Sequence, residues 1–85
     1  MKNGLLWYDG STRPFEEKVR EAAERYRDKW DRWPDTCYVH PKALAREAMI
    51  AVSKNGDDRV VVRCLRDPTT LPGHLRIGCE EREVA

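Results

Sequence analysis

The stretch RPFEEKVREAAERYRDKWDRWP, residues 13–34, decides the reading of this chain. Phe15, Val19, Ala22, Tyr26, Trp30 and Trp33 recur in steps of four, three, four, four and three. That is the period of one face of an α-helix. The remaining positions are almost all charged. Glu16 with Arg20, Glu21 with Arg25, and Asp28 with Arg32 stand four apart with the acid first. This order supports a helix by roughly 0.2–0.5 kcal/mol per pair. The spacing therefore predicts a helix over about residues 13–32. Ser11 or Thr12 is placed to cap it, Pro14 suits its first turn, and Glu16 and Glu17 suit the positive end of its dipole. Trp33 before Pro34 is expected to end it, because a residue before proline avoids the α region. The helix reads as a solvated, self-neutralised lid whose aromatic stripe grips a sheet.

The flanks supply that sheet. Leu5-Leu6-Trp7-Tyr8 is a continuous apolar run bounded by Gly4 and Asp9-Gly10, and reads as a short buried strand. Thr36-Cys37-Tyr38-Val39-His40 reads as a second strand. From Lys42 to Ser53, Leu44, Ala45, Ala48, Met49 and Val52 fall on one side, which favours a second, shorter helix closed by Asn55-Gly56. The alternative is a hairpin, with Met49–Val52 and Val60–Val62 flanking Asn55-Gly56-Asp57-Asp58. Arg59–Leu65 is a strand, Asp67–Gly73 a loop with two prolines, and His74–Glu80 a last, alternating strand. Residues 80–85 read as a frayed tail. The expected fold class is α/β, a small mixed sheet in the order β-α-β-α-β-β, covered by one long and one short helix. The whole of 1–85 is expected to form a single domain.

Hydrophobic residues are 40% and charged residues 36% of the chain, yet the net charge is +1. The balance argues against a polyanion mimic and against a strongly basic nucleic-acid binder. No stretch approaches the ~20 apolar residues of a membrane span, and the N-terminal apolar run is too short for a signal peptide. A cytoplasmic protein with no membrane contact is expected.

Five residues invite a zinc reading: Cys37, His40, Cys64, His74 and Cys79. Strand geometry opposes it, because residues three apart on a strand point to opposite faces. The same parity removes a Cys37–His40 nucleophile–base dyad. The cysteines fall in apolar-alternating segments and read as free core thiols, with a Cys64–Cys79 disulfide as the alternative. No metal, cofactor or catalytic residue is expected.

Three surfaces remain as candidates. Trp30 and Trp33, at the far end of the helix beside Arg32, can anchor a partner if exposed. Arg59, Arg63, Arg66 and Arg76 lie where acids are sparser, with Arg63 and Arg76 on the outward parity of the last two strands. They offer a basic strand face to a phosphate backbone or an acidic protein. Asp9 and His40 each follow a strand, at the ends where α/β proteins hold ligands, but no glycine-rich phosphate loop follows either one.

Leu6-Trp7-Tyr8-Asp9, Cys37-Tyr38-Val39-His40-Pro41 and Leu71-Pro72-Gly73-His74-Leu75-Arg76-Ile77-Gly78 together resemble a family of short bacterial proteins, often from thermophilic lineages. That resemblance implies no activity. The run from Pro34 to Pro41, then Val60-Val61-Val62, then Leu71-Pro72-Gly73 and a closing strand is similar to the core segment of tailed-phage capsid proteins. This likeness covers about half the chain. The long arm and other capsid parts are absent, so capsid function is not implied; the likeness supports the topology and makes self-association or a mobile-element origin slightly more thinkable.

The expected function is a small non-enzymatic protein-binding or self-associating module, working through a sheet edge or the Trp30/Trp33 end of the helix. A nucleic-acid-contacting accessory protein using the arginines is the alternative. A ligand-binding or hydrolase-like protein using Asp9 and His40 is the third reading.

Overall fold

The computed structural model describes residues 4–52 and 60–80. Strand β1 (Leu5–Tyr8) is followed by helix α1 (Phe15–Trp30), then β2 (Thr36–Val39), β3 (Ala48–Ala51), β4 (Val61–Arg66) and β5 (His74–Gly78). The five strands form one sheet in the order β1-β5-β2-β4-β3. β2 and β4 are parallel, and the other three pairings are antiparallel. β1, β2 and β4 therefore run one way, and β3 and β5 the other.

Helix α1 occupies the core of the expected span but is shorter at both ends. Pro14 stands at its N-cap with an extended ψ of 143° and no side-chain cap. Ser11 and Thr12 do not cap it. The Ser11 hydroxyl accepts the Arg13 N–H at 3.3 Å, and the Ser11 N–H donates to the Asp9 carboxylate at 2.9 Å. The helix stops before Trp33-Pro34, because Asp31 turns into the left-handed region at φ 56° and its N–H closes on the Arg27 carbonyl. An aspartate tolerates that conformation better than most residues.

The register separates the two faces of the sheet. Leu5 and Trp7, Leu75 and Ile77, Cys37 and Val39, Val62 and Cys64, and Ile50 share the side that faces α1. The helix packs Val19, Ala22, Ala23 and Tyr26 into that layer. The two alanines let its backbone come close to the sheet, and Tyr26 fills the remaining space. The result is one helical layer on one mixed sheet.

The second helix expected over residues 42–53 is not formed. Residues 41–43 make a turn, and Ala48–Ala51 pair with β4 as the hairpin alternative requires. Ile50 and Val52 are buried while Met49 is exposed, so the period of two outweighs the apolar stripe counted at helical spacing. Without β3, the far side of β4 would leave its backbone groups unpaired. The order is thus β-α-β-β-β-β. Glu80, expected to begin a frayed tail over 80–85, is instead held by Asp35 and Tyr38; the turn expected at Asn55-Gly56, Arg59 and the rest of that tail, 81–85, lie outside the described residues. Among the described residues no helix is long and apolar enough to cross a membrane.

Candidate functional site

Among the described residues one helix is formed, and it covers one face of the sheet. The opposite face carries Leu6, Tyr8, His74, Arg76, Thr36, Tyr38, Val61, Arg63, Leu65 and Met49 by register. Leu6 is 61%, Tyr8 64% and Met49 66% exposed, and these are three of the four large apolar side chains most open to solvent among the described residues. The fourth, Leu71, lies in the loop before β5. Leu6 and Tyr8 sit at the β1 margin and Met49 at the β3 margin. Between Met49 and the middle of the sheet runs a shallow groove of about 520 Å³, lined by Thr36, Tyr38, Val61, Leu65 and Arg63 with Asp35 and Glu80 at its end.

The charges on this face are matched locally. Arg63 lies 3.5 Å from Glu47, and Arg76 lies 3.7 Å from Asp67. The Tyr38 hydroxyl donates to Glu80 at 3.1 Å. Burial, then the Glu80 carboxylate, push the Tyr38 phenol above its ordinary range. Asp35 accepts the Thr36 hydroxyl at 2.7 Å and the Glu80 N–H at 3.0 Å. The Thr69 hydroxyl and backbone N–H hold the Asp67 carboxyl below the usual carboxylate range, with Thr70 and Arg76 adding to the effect. Two arginines thus share the face with four carboxylates.

Tyr8 is exposed but firmly seated. Its ring lies 4.9 Å from that of His74, tilted by 54°. It also occupies the space that side chains at Gly10 and Gly73 would fill. An exposed aromatic with few conformations left to lose suits an interaction anchor.

At one end of the sheet, on the helix side, lies a smaller cleft of about 150 Å³. Its floor is Phe15, Val39 and Leu75, and Asp9, Arg13, Lys18 and His74 rim it. These polar groups mostly serve one another. Arg13 meets Asp9, Glu17 and Glu21, and Lys18 donates to the carbonyls of Asp9 and Ser11. Hydrogen bonds from Ser11, then the charges of Lys18 and Arg13, lower the Asp9 pKa. His40 does not line this cleft. Its Nδ1 accepts the Lys42 N–H at 3.0 Å and its carbonyl accepts the Ala43 N–H, so it closes the turn after β2. The structure therefore places Asp9 with His74 rather than with His40.

Trp30 and Trp33 are both half-buried against the core. The Trp30 ring lies 4.5 Å from Tyr26 under Lys29, and Trp33 lies under Arg27. They close the end of the core beneath cations. Arg63 and Arg76 share the bare face as expected from their parity. Arg66 takes the opposite parity, with Val39 as its register partner, and Arg59 is outside the described residues. All three cysteines are free. Cys37 and Cys64 are register partners, while β2 separates β4 from β5, so the Cys64–Cys79 pairing does not arise.

Leu6, Tyr8 and Met49 did not stand out in the sequence. The continuous apolar run Leu5–Tyr8 masks its own alternation: Leu5 and Trp7 are half-buried, while Leu6 and Tyr8 are exposed. The signal available was that one helix cannot cover both faces of a sheet. No protein-family model, no curated protein and no solved structure matches this chain.

Proposed function

We propose that the chain is a non-enzymatic self-associating module, and that its docking surface is the bare face of the sheet with its margins. The observation that carries this reading is the placement of Leu6, Tyr8 and Met49, each more than 60% exposed, on the one side the helix leaves open. Scattered exposed apolar residues are ordinary, but these lie on one side of the sheet, two together at the β1 margin and one beside the groove at the β3 margin, and exposed apolar groups gathered in this way suit an interface. Charge selects the partner. A face bearing Arg63 and Arg76 beside Asp35, Glu47, Asp67 and Glu80 complements a surface of the same mixed kind, and a second copy of the chain is such a surface. The four carboxylates weigh against a phosphate backbone, which would meet them as like charges.

Sedimentation across a concentration series tests the reading. The expected result is a reversible shift to a dimer, weakened by Tyr8→Ser and unchanged by Asp28→Ser on the exposed side of the helix. A strict monomer at high concentration, or DNA binding that falls steeply with salt, would overturn it.

A further inference from the structure

We infer that the two copies join edge to edge through β1, making one continuous ten-stranded sheet around a twofold axis at Trp7. This rests on the self-association reading and specifies its geometry.

The direction of the backbone groups is the first argument. The Asp9 N–H donates to the Gly73 carbonyl at 2.9 Å. In an antiparallel ladder the groups of successive residues alternate between the partner strand and the far side. Trp7 and Leu5 therefore turn their N–H and C=O toward β5, and Leu6 and Tyr8 turn theirs outward. β1 is the margin of the sheet, so these outward groups face no other strand among the described residues.

The second argument is the contrast with the other margin. The Val52 N–H donates to the Val60 carbonyl, so the same alternation turns Met49 and Ala51 outward on β3. That edge is guarded, because Arg20 Nε donates to the Ala51 carbonyl at 3.1 Å. A charged side chain laid along an edge strand is a common way to stop it pairing. β1 has no such guard within it: Leu5-Leu6-Trp7-Tyr8 carries no charge and no proline. Of the two edges, β3 carries a charged guard, and among the described residues β1 shows none along its outward backbone groups.

The third argument is self-complementarity. In a twofold antiparallel pair, residues directly opposite must lie on the same face. Leu6 and Tyr8 are on the bare face, and Leu5 and Trp7 on the helix side. A pair centred on Trp7 sets Leu6 against Tyr8 of the second copy, and Tyr8 against Leu6. These are the residues whose backbone groups point outward, so the register forms four hydrogen bonds. It also places an aliphatic–aromatic pair twice on the bare face, a favourable cross-strand combination. One strand supplies both the donors and the side chains that a copy of itself requires.

Amide exchange and one substitution test this. In the wild-type chain, protection at the Leu6 and Tyr8 amides should rise with protein concentration, while the Leu5 and Trp7 amides, already bonded to β5, should not change. Leu6→Pro removes a donor that the single copy does not use and sets a ring on the outer edge, where proline is tolerated. It should keep the monomer fold and weaken the dimer at least about tenfold. Should Leu6→Pro fail to fold, the wild-type exchange pattern decides alone. A dimer that survives Leu6→Pro, shows no protection at Leu6 and Tyr8, and is dispersed by Met49→Lys would overturn edge pairing and leave self-association through the face. A strict monomer would overturn both.

Discussion

The ring of Tyr8 lies where a side chain on Gly73 would stand: a Cβ there would come within 3.0 Å of it. Gly73 also has φ +80°, a conformation that L side chains rarely adopt. Gly73→Ala should therefore cost roughly 1–2 kcal/mol from the backbone alone, with the ring contact added. For a chain of this size that lowers Tm by several degrees, on the order of 4–8 °C per kcal/mol. In a Tyr8→Ala background the contact disappears and the backbone cost remains, so the two changes should couple. Additive losses in Tm would show that the glycine and the ring are independent.

Much of the fold was legible because separate signals agreed. In α1 the apolar stripe, the acid-first pairs and the acidic first turn all point to one helix, and Glu16 does lie within 3.7 Å of Arg20. Its end was less legible, since nothing in a sequence announces that Asp31 will take a left-handed φ two residues before Trp33. Residues 42–53 satisfied two periods at once, and the choice between them depends on whether β4 needs a partner, which is a property of the assembled sheet. The bare face was half legible. The alternation of β4 and β5 gives the outward parity of Arg63 and Arg76, but the carboxylates beside them come from distant segments. Leu6 and Tyr8 could be separated from Leu5 and Trp7 once β1 was known to be a margin with one side uncovered.

Cys37 and Cys64 stand opposite each other across two parallel strands, and both are fully buried. The neighbouring Cys64 thiol, then burial, push the Cys37 thiol far above its ordinary pKa. The thiolate is the reacting form, and burial shields both sulfurs from a reagent, so neither should react in the native state. Cys79 is half-buried, with its Sγ 3.6 Å from the Tyr26 hydroxyl and from the Trp33 carbonyl. Timed labelling with a thiol reagent should give one early modification at Cys79 and two later ones that follow the rate of opening. Early labelling at Cys37 or Cys64 would show that this layer opens without unfolding.

Tyr26 gives the fold a dependence on alkaline pH. Burial, then the hydrogen bond to Cys79, push its phenol from 10.0 up to about 12. An unfolded tyrosine releases its proton near pH 10, whereas the folded one holds it. The unfolded chain then binds fewer protons, and stability falls as pH rises from about 10 to 12. The contribution is intact below pH 10 and is lost through the folded pKa. Denaturant titrations should show a fall of up to about 1.4 kcal/mol per pH unit from this group in that window, and a shallower fall in Tyr26→Phe, where the raised Tyr38 phenol still acts in the same direction. Parallel profiles for the two chains would mean that Tyr26 ionises alike in both states.

Arg20 should set the size of the assembly. With β1 joined to a copy of itself and the Ala51 carbonyl held by Arg20, the ten-stranded sheet has guarded edges at both ends and growth stops at two copies. Arg20→Ala removes the guanidinium and leaves the outward groups of Met49 and Ala51 open. It also breaks the exposed ion pair with Glu16, but such pairs are worth little, so the monomer should stay folded. The expected outcome is species larger than a dimer, seen by light scattering at concentrations where the wild type stops at two. The double variant Leu6→Pro, Arg20→Ala separates the edges: with β1 blocked, growth through β3 alone can reach a dimer but no further. Dimers of unchanged size from Arg20→Ala would mean that β3 is closed by something other than this contact.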